Sequence, residues 1–282
     1  MLFNISYPYF LNILNTYKSK KTVWKIKYFL LYYAAENSEL WFINYCQNFS
    51  YFRIMKIEIE KTADGSPTIY REDIDEHYHS VKGALAESRH VYIDLGWRKR
   101  SASANTISVF EIGFGTGLNA ALTAKEALDD ATKTIYHSVE LFPLPKQTTD
   151  ILLSFQEEGY RDEFRLVNDA GWGETVEINP FFTLHKIQDS LLTMDLPLGI
   201  DVVYFDAFAP EKQPEMWASE IFRRLYEAMN PEGILTTYCA KGSIRRMLRD
   251  IGFIPERLPG PPGGKREVLR ATKMQGYMNY EL

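Results

Sequence analysis

Gly113, Gly115 and Gly117 stand two positions apart after the run Val109-Phe-Glu-Ile112 and lead into a helical pattern at 120–128. Glycines so spaced let the backbone pass close to a ligand where any Cβ would collide. A dinucleotide-binding turn would carry glycine at position 118, which is Leu here, so a nicotinamide reading is weakened. Glu140 ends the next apolar run, where an acidic side chain can accept both hydrogen bonds of a ribose diol. A lone Glu at a strand end is ordinarily just solvated, but here two separate signals agree on one ligand. Asp206 ends a later run and opens Asp206-Ala-Phe-Ala-Pro210, an acidic residue followed by a Pro-containing aromatic loop. A carboxylate there can accept an N–H bond and orient an amine for in-line attack. Its ordinary pKa of about 3.9 suits it to orientation and electrostatic stabilisation rather than strong-base chemistry. The bland alternative is a strand-terminal Asp that caps the next turn.

These residues need a scaffold, and the chain supplies one in a regular alternation. The β-branched or aromatic runs at 107–112, 135–139, 182–187, 202–205 and 234–238 read as strands, with helical stretches between several of them. The stretch 217–229 places Trp217, Ile221, Phe222, Leu225 and Met229 on one helical face, and Pro231 and Gly233 are expected to end it in a turn. The expected fold is α/β and Rossmann-like: a doubly wound, mostly parallel sheet that binds ligands at its strands' carboxyl ends. Between 64 and 92 the expectation is a turn, a polar helix or loop, and then an approach to the core.

The first 54 residues differ from the rest. They hold 16 aromatics against 24 in the remaining 228, and a charge of +4 on a chain whose total is −5. Residues 55–60 alternate apolar and charged side chains, as a half-buried strand entering a domain would. Two domains follow: 1–54, an extension expected to be poorly ordered or a start-site artefact, and 55–282, the catalytic domain. The rival for 1–54 is a membrane-surface or partner-binding segment, because lysines interleave with Trp24, Tyr28 and Phe29.

Other functions are made less probable by composition. Cys46 and Cys239 sit in no metal-ligand or redox spacing, so no metal site is expected and a reducing, cytoplasmic setting is. No run of 18 apolar residues and no secretory signal pattern is present, so neither a membrane span nor export is expected. The net charge of −5 argues against a protein that coats nucleic acid non-specifically, while leaving room for a local basic patch.

The segment Glu111-x-Gly113-x-Gly115-x-Gly117 resembles the first motif of the class I methyltransferases, whose loop accommodates the amino-acid part of S-adenosyl-L-methionine. In that class an acidic residue at the place of Asp189 commonly bonds the adenine amino group. More of the chain resembles one family. The run Phe205-Asp-Ala-Phe-Ala-Pro210 with Pro214, Met216 and Trp217 is similar to the methyltransferase module of the bifunctional tRNA 5-methylaminomethyl-2-thiouridine biosynthesis enzymes and their stand-alone relatives. So are Asp64-Gly65 with Pro67, Asp75-Glu76 with Tyr78 and Ser80, Gly83-x-Leu85-x-Glu87, Pro143-Leu144 and Lys265-Arg266-Glu267. The loop Gly260-Pro-Pro-Gly-Gly264 and the aromatic N-terminus depart from the family pattern.

The resemblance implies S-adenosyl-L-methionine as cofactor, tRNA as partner, and methylation of 5-aminomethyl(-2-thio)uridine at the wobble position. It implies donor contacts for Glu111, Gly113, Gly115, Thr116, Gly117, Asn119, Glu140 and Asp189, and makes Asp206 the catalytic residue nearest the amine. Phe208, Pro210, Arg245, Arg246, Lys265 and Arg266 become candidates for the substrate side, with Arg223, Arg224 and Arg249 as further phosphate contacts. Convergence of these cations around the Asp206 loop would strengthen the tRNA reading, and scatter would weaken it. The bifunctional enzymes also carry an FAD-dependent oxidase module, and none is expected in a chain that ends at Leu282. The alternatives are a methyltransferase of a small amine or protein, and a non-catalytic scaffold that binds the donor.

Overall fold

Every side chain of strand β8, Ile200–Phe205, is buried, and a strand with no solvent face belongs at the centre of a sheet covered by helices on both sides. The computed structural model describes residues 57–274. Expectations about residues 1–54, and the first two residues of the alternating segment at 55–60, lie outside them. In the described residues an eight-stranded sheet has the order β10-β11-β9-β8-β4-β5-β7-β6. Its parallel centre is β4 (Thr106–Ile112), β5 (Lys133–Val139), β7 (Phe182–Ile187), β8 and β9 (Met229–Thr237). The edges are antiparallel: β6 (Thr175–Asn179) on one side, β10 (Phe253–Pro259) and β11 (Glu267–Lys273) on the other. The expected mostly parallel α/β sheet is therefore present.

Alternation along the central strands builds two cores. Val109, Tyr136, Leu184, Val202 and Tyr204 face one side, against helix α3 (Leu118–Asp129) and a π-helical segment, Arg89–Trp97. Phe110, Ile112, Val139, Val203 and Phe205 face the other, packing on Phe222 and Leu225 of α6 (Ser219–Ala228) and Leu248 of α7 (Gly242–Ile251). The strand order reverses between β4 and β8, and this switch point opens a crevice at the carboxyl edge.

Two expectations need correction. The region 64–92 holds more structure than a turn and a polar helix or loop: β2 (Pro67–Arg71) and β3 (Glu76–His77) form a separate antiparallel sheet with β1 (Ile57–Lys61), the strand expected at 55–60. A helical stretch follows, beginning with α1 (Ala84–Ser88), continuing through the π segment and ending with α2 (Arg98–Ser101). The mixed polar and apolar spacing of Pro67–Arg71 hides the strand, which buries Pro67, Thr68 and Ile69. The single helix expected at 217–229 is a 3-10 turn, Pro214–Trp217, broken by extended Ala218 before α6 begins. Met229, Pro231 and Gly233 already belong to β9, whose pairing with β8 is irregular opposite Asp201. The apolar face was real, because Trp217, Ile221, Phe222, Leu225 and Met229 are all buried.

Trp97 is the bulkiest fully buried side chain and joins the π segment to β5 by an Nε1–H bond to Thr134 Oγ1 of 3.0 Å. Trp97→Ala is expected to cost about 3–5 kcal/mol, read as a lower denaturant midpoint with an unchanged slope.

Candidate active site

A cavity of about 550 Å³ opens at the carboxyl edge of the parallel strands, within the usual size range for small-molecule sites. Each central strand delivers one element of it. Gly113 follows β4, Glu140 follows β5, Asp189 lies just beyond β7, Asp206 follows β8 and Tyr238 follows β9. Parallel strands end on one edge, so residues far apart in sequence arrive together.

The glycine loop explains itself at two positions. Gly113 has φ +90°, and a Cβ there would sit 2.8 Å from the Asp206 carbonyl oxygen. Gly117 has φ +82° and caps α3, where a Cβ would strike Phe114 and Asn168. Only glycine enters both conformations without strain. Glu140 accepts backbone N–H bonds from Gly115 (3.2 Å) and Phe142 (2.9 Å), and burial pushes its carboxyl above the usual range. Asp189 stands exposed on the rim and accepts the Ser190 amide at 2.6 Å.

Asp206 is held from both sides. Tyr92 of the π segment donates its hydroxyl to Oδ1 at 2.6 Å, and Asn119 Nδ2 donates to Oδ2 at 2.9 Å. Burial raises its pKa to about 6, against the pull of those two donors. The carboxylate is therefore mostly ionised at neutral pH and neutral in mild acid. The loop behind it is pinned through its carbonyls: Tyr238 Oη donates to Ala207 O and Trp217 Nε1 to Phe208 O, both at 2.8 Å. Phe208 meets Tyr78 edge-on at 5.3 Å between ring centroids, with the Arg71 guanidinium 5.9 Å from the Phe208 ring.

Beside Asp206 lies a second carboxylate, Glu87, ion-paired with Lys265 at 2.8 Å and accepting the Ser80 amide at 3.1 Å. Lys265 Nζ lies 3.7 Å from the centroid of the Tyr238 ring. His79 is pushed down to about 4 by burial and is neutral at pH 7.

Of the residues singled out from sequence, Gly113, Gly115, Thr116, Asn119, Glu140, Asp189, Asp206, Phe208 and Lys265 line the cavity. Glu111, Gly117, Pro210, Arg245, Arg246 and Arg266 do not. Asn119 reaches Asp206 rather than standing free, and Glu111 lies in β4 with no exposed surface. The basic residues scatter. Arg224 is spent on the carbonyls of Leu191, Leu192 and Met194. Arg223 pairs with Glu220 and shares a separate depression with Arg246. Tyr92, Arg71, Lys212 and Tyr238 were missed, although the last three line the cavity. Tyr92 sits in a helical stretch that no periodicity marked, and its value lies wholly in what the fold sets opposite it.

Residues 178–274 match a protein family described as S-adenosyl-L-methionine-dependent methyltransferase. The tRNA 5-methylaminomethyl-2-thiouridine biosynthesis bifunctional protein MnmC of Pseudomonas savastanoi is 31% identical over 234 residues, 76% of this chain and 34% of its own. The protein of the same name from Leptospira borgpetersenii is 32% identical over 219 residues, 73% of this chain and 33% of its own. The chain thus spans about a third of the length of these curated relatives. Among solved structures, MnmC2 from Aquifex aeolicus superposes with a TM-score of 0.65 at 23% identity, covering 90% of this chain and 87% of that one. Spermidine synthase from Thermotoga maritima superposes at 0.50 and 16% identity, covering 78% and 70%. Among the described residues no helix is long and apolar enough to cross a membrane, and no group of three or more His, Cys, Asp or Glu side chains could hold a metal ion.

Tyr92→Phe removes one of the two donors to Asp206. A hydrogen bond to a charged group is worth about 1.5–3 kcal/mol, so the Asp206 titration is expected to move up by about one pH unit or more, followed by carboxyl-carbon NMR.

Proposed function

We propose, on the premise that this chain is an S-adenosyl-L-methionine-dependent methyltransferase by fold and by its match at 178–274, that it methylates a primary amine carried by tRNA. The acceptor would be the aminomethyl group of 5-aminomethyl(-2-thio)uridine at the wobble position, and the product its methylaminomethyl counterpart. The observation that carries the chemistry is Asp206, a half-buried carboxylate fixed by two donors in the same cavity as the glycine loop. The printed names of the curated relatives support the tRNA part of the reading. A tRNA substrate also puts the protein in the cytoplasm, and the reaction calls for neither FAD nor a metal.

The residues present fit the donor. The cradle around Gly113 and Gly115 is one that added Cβ atoms would close, against Asp206 and Tyr78 respectively. Glu140 and Asp189 offer carboxylates where ribose and adenine would bind. S-adenosyl-L-methionine supplies an electrophilic methyl group on a sulfonium. The protein's part lies on the acceptor side. Phe208 and Tyr78 present ring surface to a nucleobase, because stacking on aromatics is how proteins hold an unpaired base. Asp206 accepts an N–H bond of the amine and turns its lone pair toward the methyl group, and the proton that the product ammonium loses passes to solvent. The Glu87–Lys265 pair is neutral overall and leaves Asp206 as the anion available to the amine.

The scatter of the arginines is the one observation that favours a small amine instead. The test is transfer of labelled methyl to tRNA bearing aminomethyluridine. Wild-type protein is expected to label the wobble nucleoside, and Asp206→Asn to lose about 10²–10⁴-fold in rate. No label on tRNA, with label on a small amine, would replace this reading. Because Asp206 must be ionised to accept the bond, the rate is expected to fall as pH drops through about 6. The rate with tRNA is further expected to drop steeply with added salt, as counterion release requires for a polyanionic substrate.

A further inference from the structure

Glu111 is the carboxylate that the reading above does not use. It sits in the middle of the sheet with no exposed surface, and it does not line the cavity. Its register partners are Ser138 on β5 and Tyr204 on β8. Ser138 Oγ donates to Oε2 at 2.6 Å, while Oε1 is buried without a partner. The other groups that face it are Tyr136 from β5, Asn119 from α3 and Asp206 beyond β8. None of these is a cation, and one is a second carboxylate.

Asn119 links the two acids. Its amide nitrogen donates to Asp206, and its carbonyl Oδ1 is buried with no donor. Tyr136 Oη of the same cluster is likewise buried without a partner and can give one hydrogen, so of the two acceptors Glu111 Oε1 and Asn119 Oδ1 one is still left without a donor. A carboxylate is acceptor-only, whereas a carboxylic acid brings one O–H donor. Two carboxylates on either side of one side-chain amide repel each other, and the one farther from solvent takes up the proton more readily. Asp206 has two side-chain donors, Tyr92 and Asn119, and faces the cavity. Glu111 has neither advantage.

Resting on the assignment of Asp206 to the acceptor amine, we infer that Glu111 is a positioning residue that stays protonated, a neutral acid that supports Asn119 from behind and leaves Asp206 the only negative charge of that cluster. Its environment agrees with this: burial lifts Glu111 to about 8 and Asp206 only to about 6. The motif acid at 111 then serves the acceptor side through Asn119, rather than touching the methyl donor.

Glu111→Gln tests this, because glutamine has the shape of the neutral acid and cannot ionise. The variant is expected to keep donor affinity and methyl transfer at pH 7 within about threefold of wild type. Its stability is expected to gain on wild type as pH rises. Unfolded Glu111 ionises near its ordinary 4.5 and folded Glu111 only near 8, so between these values the native state binds the extra proton and wild-type stability falls with pH. The melting temperature of the variant minus that of wild type should therefore grow from pH 5 to pH 8. In wild type at neutral pH, an infrared carbonyl band of a protonated carboxyl should be present and should vanish in the variant. A folded variant with activity or donor binding down a hundredfold, a stability difference that is flat or shrinks with pH, or no band lost would each overturn the inference. Should the variant not fold, carboxyl-carbon NMR of wild type decides, and a Glu111 signal titrating below pH 6 overturns it. The stability and spectroscopic readouts involve no tRNA, so they stand or fall separately from the proposed substrate.

Discussion

The molecule turns on a backbone contact between the ends of two parallel strands. The Asp206 amide donates to the Ile112 carbonyl at 3.0 Å, and the next residue along, Gly113, lies so close that any side chain would run into the Asp206 carbonyl. This contact joins the loop that would hold the methyl donor to the carboxylate that would hold its acceptor. In-line transfer tolerates little error in the separation of the reacting groups. A hydrogen-bonded ladder between β4 and β8 sets that separation more firmly than two surface loops could.

Around that contact stand four acids, Glu87 and Glu111 buried and Glu140 and Asp206 half-buried. Glu87, Glu111, Glu140 and Asp206 all stand in or near one crevice, and removing carboxylates from water is costly unless each is satisfied. The four are held in four different ways. Glu140 takes backbone amides of the loops it supports, Glu87 takes a lysine, Asp206 takes a phenol and an amide side chain, and Glu111 takes a serine. The difference matters for the two neighbours Glu111 and Asp206, which burial lifts to about 8 and about 6.

The small antiparallel sheet and the helical stretch after it build one wall of the cavity. They bring Arg71, Tyr78, His79 and Glu87 to the cavity and place Tyr92 against Asp206. A bare Rossmann-like sheet has the donor loop and the strand-end acids but no such wall. The basic side chains within this wall are largely neutralised, Arg71 by Asp73 and Lys212 by Asp75. Recognition inside the cavity therefore rests more on ring surfaces and carboxylates than on excess positive charge, which accords with the chain's net charge of −5.

The sequence by itself determined the sheet, the glycine loop, and the acids at the strand ends. Gly113 to Gly117, Glu140 and Asp206 are legible because a buried strand followed by glycine or an acid is a local pattern, and local patterns report backbone geometry directly. What only the tertiary structure decided is the pairing of groups distant in sequence. Nothing near Tyr92 announces a bond to a residue 114 positions away, and Lys265 reads as a tRNA contact until Glu87, 178 positions earlier, is found beside it. Arg224 likewise looks like a phosphate ligand until the fold turns it onto three carbonyls. The reason is physical: a long or polar side chain takes its role from the partner within hydrogen-bonding reach, and that partner is chosen by packing rather than by sequence neighbours. Glu111 shows both sides, since the motif marks it as special while only the fold shows that it is buried away from the cavity.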